Sequence, residues 1–435
     1  MDYKESIEWL YSFKQYGSKL GLDRISFLLD KLNNPQDNIK TIHVTGTNGK
    51  GSVSKFIASI LNKAGYSVGI YISPHLERFS ERIIINNDEI SKENIVILTE
   101  KIKPIIDDMI KNDNSPTFFE IITAMAFQFF FDSSVDFAVI EVGLGGRFDA
   151  TNVIIPLVSI ITNISLEHTK QLGENIKSIA FEKAGIIKKN VPVVTAVIDE
   201  ARDVIEKVAL DNNSKVVYLD NRNWKRISKS SENQVFHILG LLNEYIVETS
   251  MLGNYQGENI ALAINAIEIL QINGVYLTDI DIIKGISDGF NPGRMEIVST
   301  EPKILLDGAH NPAGMEVLTN TLKNDIKYKK LILIIGILED KDVNKMLSKI
   351  VPVSDIIIAT KSNNPRACKP IFLEEMIKKI DKSKKIVIKS SIPDAIIYAK
   401  KISNKNDLIC ISGSLYTIGE ARSYFNKLTK NLIKN

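Results

Sequence analysis

Lys50 stands in the run Thr41-Ile42-His43-Val44-Thr45-Gly46-Thr47-Asn48-Gly49-Lys50-Gly51-Ser52, where an apolar strand passes through a glycine-rich turn into an amphipathic helix predicted over Val53–Lys63. That order builds a cradle for phosphate. Glycines let backbone N–H groups converge on phosphate oxygens, the helix N-terminus adds the positive end of its dipole, Lys50 reaches the β- and γ-phosphates, and the Ser52 hydroxyl faces Mg²⁺. The spacing departs from G-x-x-x-x-G-K-[ST]: Val44 occupies the first glycine position, and Gly51 separates the lysine from its hydroxyl. A glycine-rich turn without a ligand is the competing reading of this run taken alone.

Other residues suit the same chemistry. Glu141 ends a predicted strand, Phe137–Val142, and enters a glycine-rich turn, the place where P-loop ATPases put a Mg²⁺-binding acid. A solvated strand-end carboxylate is the alternative. His168 follows the next strand, and Lys183 comes fifteen residues later on a helix ending near Gly185. Taken alone, the histidine reads as a surface or core residue and the lysine as a solvated cation. Arg294 carries an always-charged fork suited to phosphate. Asp307-Gly308-Ala309-His310-Asn311-Pro312 reads as a helix start with Asn311 as N-cap and Pro312 at N1, which is compatible with ligand contact.

The variant G-T-N-G-K-G-S resembles the nucleotide loop of the Mur-ligase superfamily and, within it, the folylpolyglutamate synthase and dihydrofolate synthase branch. Matching strings follow in the family's order: Ser73-Pro74-His75-Leu76-Glu77-Arg78-Phe79, Glu141 to Asn152, Glu182 to Ile186, Pro292-Gly293-Arg294, Asp307 to Pro312, and Ser412-Gly413-Ser414-Leu415-Tyr416. The resemblance implies ATP contacts at Gly46, Thr47, Asn48, Gly49, Lys50, Gly51, Ser52, Asn259, Arg294 and Asp307. It implies Mg²⁺ contacts, for one or two ions, at Ser73, Glu141 and His168, with Ser52 as an extra ligand. It further implies that Lys183 is carbamylated and that Lys50, Lys183, His168 and Arg294 are catalytic. Arg78, Phe118, Phe119 and Glu120 fall in strings that resemble the pterin-binding region, although the two phenylalanines read equally well as core residues. His310 is expected beside nucleotide or glutamate. Tyr255 stands where the family commonly has histidine, which weakens any role for that position.

The activity so implied is ATP-dependent amide formation between L-glutamate and dihydropteroate or a reduced folate, through an acyl phosphate. Two rivals are a Mur-type ligase acting on a UDP-muramyl peptide and a non-enzymatic nucleotide switch. Against the first stands the Leu76–Arg82 string, and no extra N-terminal UDP-binding domain is expected.

The elements that must position these residues read as two α/β units. Strands at Thr41–Thr45, Phe137–Val142, Leu157–Thr162 and Val191–Val194 alternate with helices at Val53–Lys63, Ser91–Met109, Glu120–Phe131 and Asn175–Ala184, which predicts a mainly parallel sheet. Between Asp211 and Met251 the rhythm is lost, and Val235–Leu239 and Tyr245–Glu248 suggest a small antiparallel addition. A helix over Asn254–Ile272 precedes a linker at Asn291-Pro292-Gly293. A second series follows at Ile304–Leu306, Leu331–Ile335, Asp355–Thr360, Ile386–Ile388 and Leu408–Ser412. It is Rossmann-like yet lacks G-x-G-x-x-G after its first strand, which argues against a dinucleotide. The expected division is an ATP-binding P-loop domain over 1–292 and a Rossmann-like glutamate-ligase domain over 293–435.

Composition fits. A chain of 435 residues is long for one core, and 54 basic against 52 acidic residues leave a charge of +2 without a basic stripe, so no nucleic-acid partner is expected. No apolar run is long enough to predict a membrane span, and two distant cysteines, Cys368 and Cys410, suit a reducing cytosol. The expected protein is a cytoplasmic monomer acting on small molecules.

Overall fold

The computed structural model describes residues 1–17 and 21–433, so the last two residues of the expected second domain lie outside it. The first sheet has eight strands. Val68–Tyr71, Phe137–Glu141, Thr41–Thr45, Val158–Ile161, Val193–Thr195 and Val216–Tyr218 lie side by side in parallel, and the hairpin Ile83–Ile85/Asp88–Glu89 closes one edge antiparallel. Thr41–Thr45 and Phe137–Glu141 are buried throughout, as strands covered on both faces must be. Because side chains alternate, Val139 packs with the helix Lys50–Lys63, whereas Ala138 and Ile140 face the opposite core with Phe118–Asp132. The strand expected from Val191 begins at Val193, since Pro192 has no N–H to give the ladder.

The helix Gln256–Ile272 is apolar on nearly every side and is accordingly buried from Gln256 to Leu270, except at the half-buried Glu258. It lies between the first sheet and an antiparallel sheet of Trp224–Lys229, Gln234–Leu239 and Glu244–Thr249, the predicted addition. Glu268 inside this helix is fully buried and accepts from Leu241 N–H, from Asn243 N–H at 3.0 Å and from the Tyr245 hydroxyl at 2.9 Å. Three donors satisfy the buried carboxyl oxygens and pin the small sheet to the helix.

The second sheet runs Glu296–Thr300, Lys303–Leu306, Leu408–Ser412, Leu331–Ile335, Ile356–Ala359, Lys385–Ile388, parallel except for the first pair. Its predicted first strand, Ile304–Leu306, is thus the second arm of a hairpin. Pro312–Asn324, Val343–Ile350 and Pro370–Ile380 cover one face; Ile392–Ile402 and Leu415–Ile433 cover the other. The short helices Tyr3–Ser12, Asp23–Lys31, Asp199–Asp211 and Asp279–Asp288 were not foreseen from the pattern of apolar residues, and each buries only a few side chains. Among the described residues, no helix is long and apolar enough to cross a membrane.

Candidate active site

The phosphate loop is held from below by the end of the neighbouring strand. Thr47 N–H donates to Asn163 O at 2.8 Å, Asn48 N–H to Asn163 Oδ1 at 3.0 Å, and the Thr162 hydroxyl to Asn48 O at 2.6 Å. Gly49 has φ +88°, and a Cβ there would lie 2.5 Å from Asn259 Oδ1, so both backbone shape and space require glycine. The Lys50 ammonium donates to Gly46 O at 2.7 Å and Thr47 O at 3.1 Å, which holds its charge over the loop.

Glu141 is buried at its strand end and accepts from Ser73 N–H at 3.1 Å. Burial raises its pKa, opposed first by the Lys50 charge. It makes no ion pair among the described residues; the Ser73 N–H and the nearby charge of Lys50 are what oppose its desolvation. His168 takes the left-handed conformation at φ 48°; the residue is exposed, yet partial desolvation of its ring followed by the charge of Lys341 lowers its pKa, favouring the neutral imidazole.

Lys183 is not the solvated cation that its residue type suggests. Its side chain is 2% exposed and its ammonium sits 3.1 Å from Glu167 Oε1. The helix Ile176–Ala184 packs Ile179, Ala180 and Ala184 inward and carries Lys183 with them. Burial pulls the amine down to about 8, with Glu167 resisting.

The opposite wall comes from the second sheet. Asp307 follows Lys303–Leu306 and accepts from Met295 N–H at 3.1 Å and Ala309 N–H at 2.9 Å. His310 Nδ1 lies 2.8 Å from Gly308 O and so donates, which leaves Nε2 as an acceptor. Asn311 caps Pro312–Asn324 as expected, with Pro312 at N1. Its amide nitrogen also donates to Asn48 Oδ1 at 3.2 Å, and Asn291 Nδ2 in the linker donates to Ser52 Oγ at 3.3 Å.

One cavity of about 940 Å³ is lined by the whole loop Gly46–Ser52 together with Ser73, Glu141, His168, Lys183, Asn259, Arg294, Asp307 and His310. Arg78, Phe118, Phe119 and Glu120 are not on its wall. Arg78 is half exposed and forks onto Glu89 at 3.1 and 2.6 Å. Glu120 accepts from Thr117 N–H at 2.6 Å in a capping box and pairs with Arg24 at 3.0 Å, a structural use of a buried carboxylate. Phe118 packs between Tyr11 and Phe79 under the Arg82 guanidinium, 5.5 Å from its ring. Phe119 presses on Gly143, where a Cβ would lie 2.4 Å from the ring. Sequence reasoning missed Trp224, Arg226 and Glu258, which also line the cavity. Only Glu258 carried a signal, one residue before Asn259. Burial pushes its carboxyl up to about 7.

A phosphate-loop sheet and a Rossmann-like sheet that share one cleft define the class as Mur-type ligase. The Mur ligase middle domain matches residues 44–267, and the Mur ligase glutamate ligase domain matches 293–415. The chain is 34% identical to the dihydrofolate synthase/folylpolyglutamate synthase of Bacillus subtilis, over 97% of this chain and 98% of that protein. It is similar to Mycobacterium tuberculosis folylpolyglutamate synthase complexed with ADP, with a TM-score of 0.91 and 31% identity, covering 98% of this chain and 99% of that one. Escherichia coli FolC in complex with DHPP and ADP gives 0.85 at 29% identity, with 98% of each chain covered. The chain belongs to the folylpolyglutamate synthase/dihydrofolate synthase family of the Mur ligases.

Proposed function

We propose that this protein joins L-glutamate to a folate-type carboxylate, driven by ATP, with dihydropteroate, reduced folates or both as acceptor. The observation that carries this reading is the single cavity in which the phosphate loop and the Ser73–Glu141 pair face Arg294, Asp307 and His310. Gly46 to Ser52 cradle the phosphates, and Asn259 and Asp307 complete the nucleotide site. An acceptor carboxylate oxygen attacks the γ-phosphorus, the bond to the β-γ bridging oxygen breaks, and ADP leaves. The neutral amine of glutamate then attacks the acyl carbon, inorganic phosphate departs with the C–O electron pair, and the amine loses its extra proton. Lys50 and Arg294 offset the negative charge that builds in both steps.

Ser73, Glu141, His168 and Ser52 fit a hard cation, because Glu141 is a buried carboxylate that has one backbone N–H and, among the described residues, no ion-pair partner. Bound there, Mg²⁺ would neutralise part of the phosphate charge. The lowered pKa of Lys183 favours the neutral amine that adds CO₂ to give a carbamate and a proton. A carbamate beside Glu167 sets two anions together, an arrangement suited to a second Mg²⁺. Phe118, Phe119, Arg78 and Glu120 belong to the wall of a neighbouring pterin region, where Phe118 and Arg82 supply an aromatic face and a cation. His310 contacts glutamate or nucleotide. We set the domain boundary at 292/293 and regard the protein as a cytosolic monomer, since one chain supplies both walls of the cavity.

The test offers purified protein dihydropteroate and tetrahydrofolate separately, with ATP, Mg²⁺ and glutamate. A mass gain of one glutamyl residue with catalytic ADP release is expected. Turnover of UDP-muramyl acceptors in place of folates, or ADP formed only once per protein, contradicts the reading.

A further inference from the structure

Glu77 belongs to the loop that starts at Ser73, yet its carboxylate is buried against the C-terminal helix Leu415–Ile433. Arg422 Nη1 donates to it at 2.5 Å, the Ser423 hydroxyl at 2.7 Å and Asn426 Nδ2 at 3.0 Å. The backbone is equally close: a Cβ on Gly419 would lie 2.1 Å from Leu76 O. The loop is stiff, because the N–H groups of Leu76, Glu77 and Arg78 all donate to the Glu81 carboxylate, at 2.7, 3.1 and 2.9 Å.

Arg422 has a second carboxylate. Its Nε donates to Glu296 at 3.0 Å, and Glu296 Oε2 accepts from Gly293 N–H at 2.8 Å, one residue before Arg294. A single guanidinium therefore joins the segment that carries Ser73 to the turn that presents Arg294. The side chains of Glu77, Glu296 and Arg422 are 5%, 10% and 20% exposed, so solvent screens these contacts far less than a surface pair. Arg422 is absent from the cavity wall.

We propose that Arg422 is a positioning residue of the ligase, a bracket that sets the Ser73–Glu141 side of the cleft against Arg294. The inference rests on the ligase reading above. It depends on the arginine fork, because Nε and Nη1 serve different carboxylates and a lysine ammonium has no such geometry. Displacements of about 1 Å cost on the order of 100-fold in rate.

The test compares Arg422→Lys, Arg422→Ala, Glu77→Gln and the Arg422→Ala/Glu77→Gln pair in the full chain, by steady-state kinetics, ADP binding and solution scattering. Arg422→Lys should lower kcat about 10- to 100-fold while ADP affinity stays within about two-fold, and the double variant should be no worse than Arg422→Ala. A wild-type kcat in Arg422→Lys, or independent losses that multiply in the double variant, overturns the bracket. If wild-type protein turns over no folate acceptor, the ligase reading fails and scattering alone judges the bracket. Arg422→Ala should then enlarge the radius of gyration, and an unchanged curve overturns it.

Discussion

Asn311 joins its own helix to the phosphate loop: its Oδ1 accepts from Gly314 N–H at 2.7 Å, while its Nδ2 donates to Asn48 Oδ1 at 3.2 Å. One side chain thus caps an element of the second sheet and touches the nucleotide cradle of the first. The two uses separate by mutation. Asn311→Asp keeps the cap and loses the donor, so it should melt within a degree or two of wild type while raising the KM for ATP. Asn311→Ala loses both and should also cost about 1 kcal/mol of stability. Thermal melts paired with kinetics check this; equal KM values for wild type and Asn311→Asp contradict it.

Among the described residues the Lys50 ammonium hydrogen-bonds only to carbonyl oxygens of its own loop, so removing it should leave the fold intact. Lys50→Ala should lower kcat by roughly 10²- to 10³-fold, the scale of losing a transition-state donor. Near-normal turnover in a folded variant contradicts the phosphate-cradle role.

Glu258 gives the cleft a pH dependence. Burial lifts its carboxyl from 4.5 to about 7, so the folded protein holds this proton where the unfolded chain releases it. Its contribution to stability is full below pH 4.5 and is lost as pH rises through about 7. Between pH 5 and pH 8 wild type should lose more melting temperature than Glu258→Gln. The KM for ATP should also rise across pH 7 in wild type, as a new anion forms on the cavity wall, and stay flat in Glu258→Gln. Parallel profiles for the two proteins contradict this assignment.

Lys183 tests the carbamate. Lys183→Ala should fold and be largely inactive, with part of the activity restored by short carboxylates or high bicarbonate. Lys183→Arg should remain inactive, because a guanidinium keeps its charge and forms no carbamate. Full activity in Lys183→Arg means that a plain cation suffices.

The local part of this site was readable in the chain. Strand, glycine turn and helix adjoin at 41–63, and the Asn311-Pro312 cap needs only its own helix. Contacts distant in sequence were not. Arg226 grips Asp325 at 2.7 Å across 99 residues, and Arg422 reaches Glu77 across 345; no periodicity announces either pair. The burial of Lys183 was hidden for the same reason, since Glu167 approaches it only after the chain turns back through Gly173.

The most direct measurement follows oxygen. Dihydropteroate or tetrahydrofolate carrying heavy oxygen in its reacting carboxylate should, with ATP and glutamate, pass one heavy oxygen into inorganic phosphate for each amide formed, with ADP as the other product. Unlabelled phosphate, or AMP and pyrophosphate in place of ADP and phosphate, contradicts the acyl-phosphate ligase.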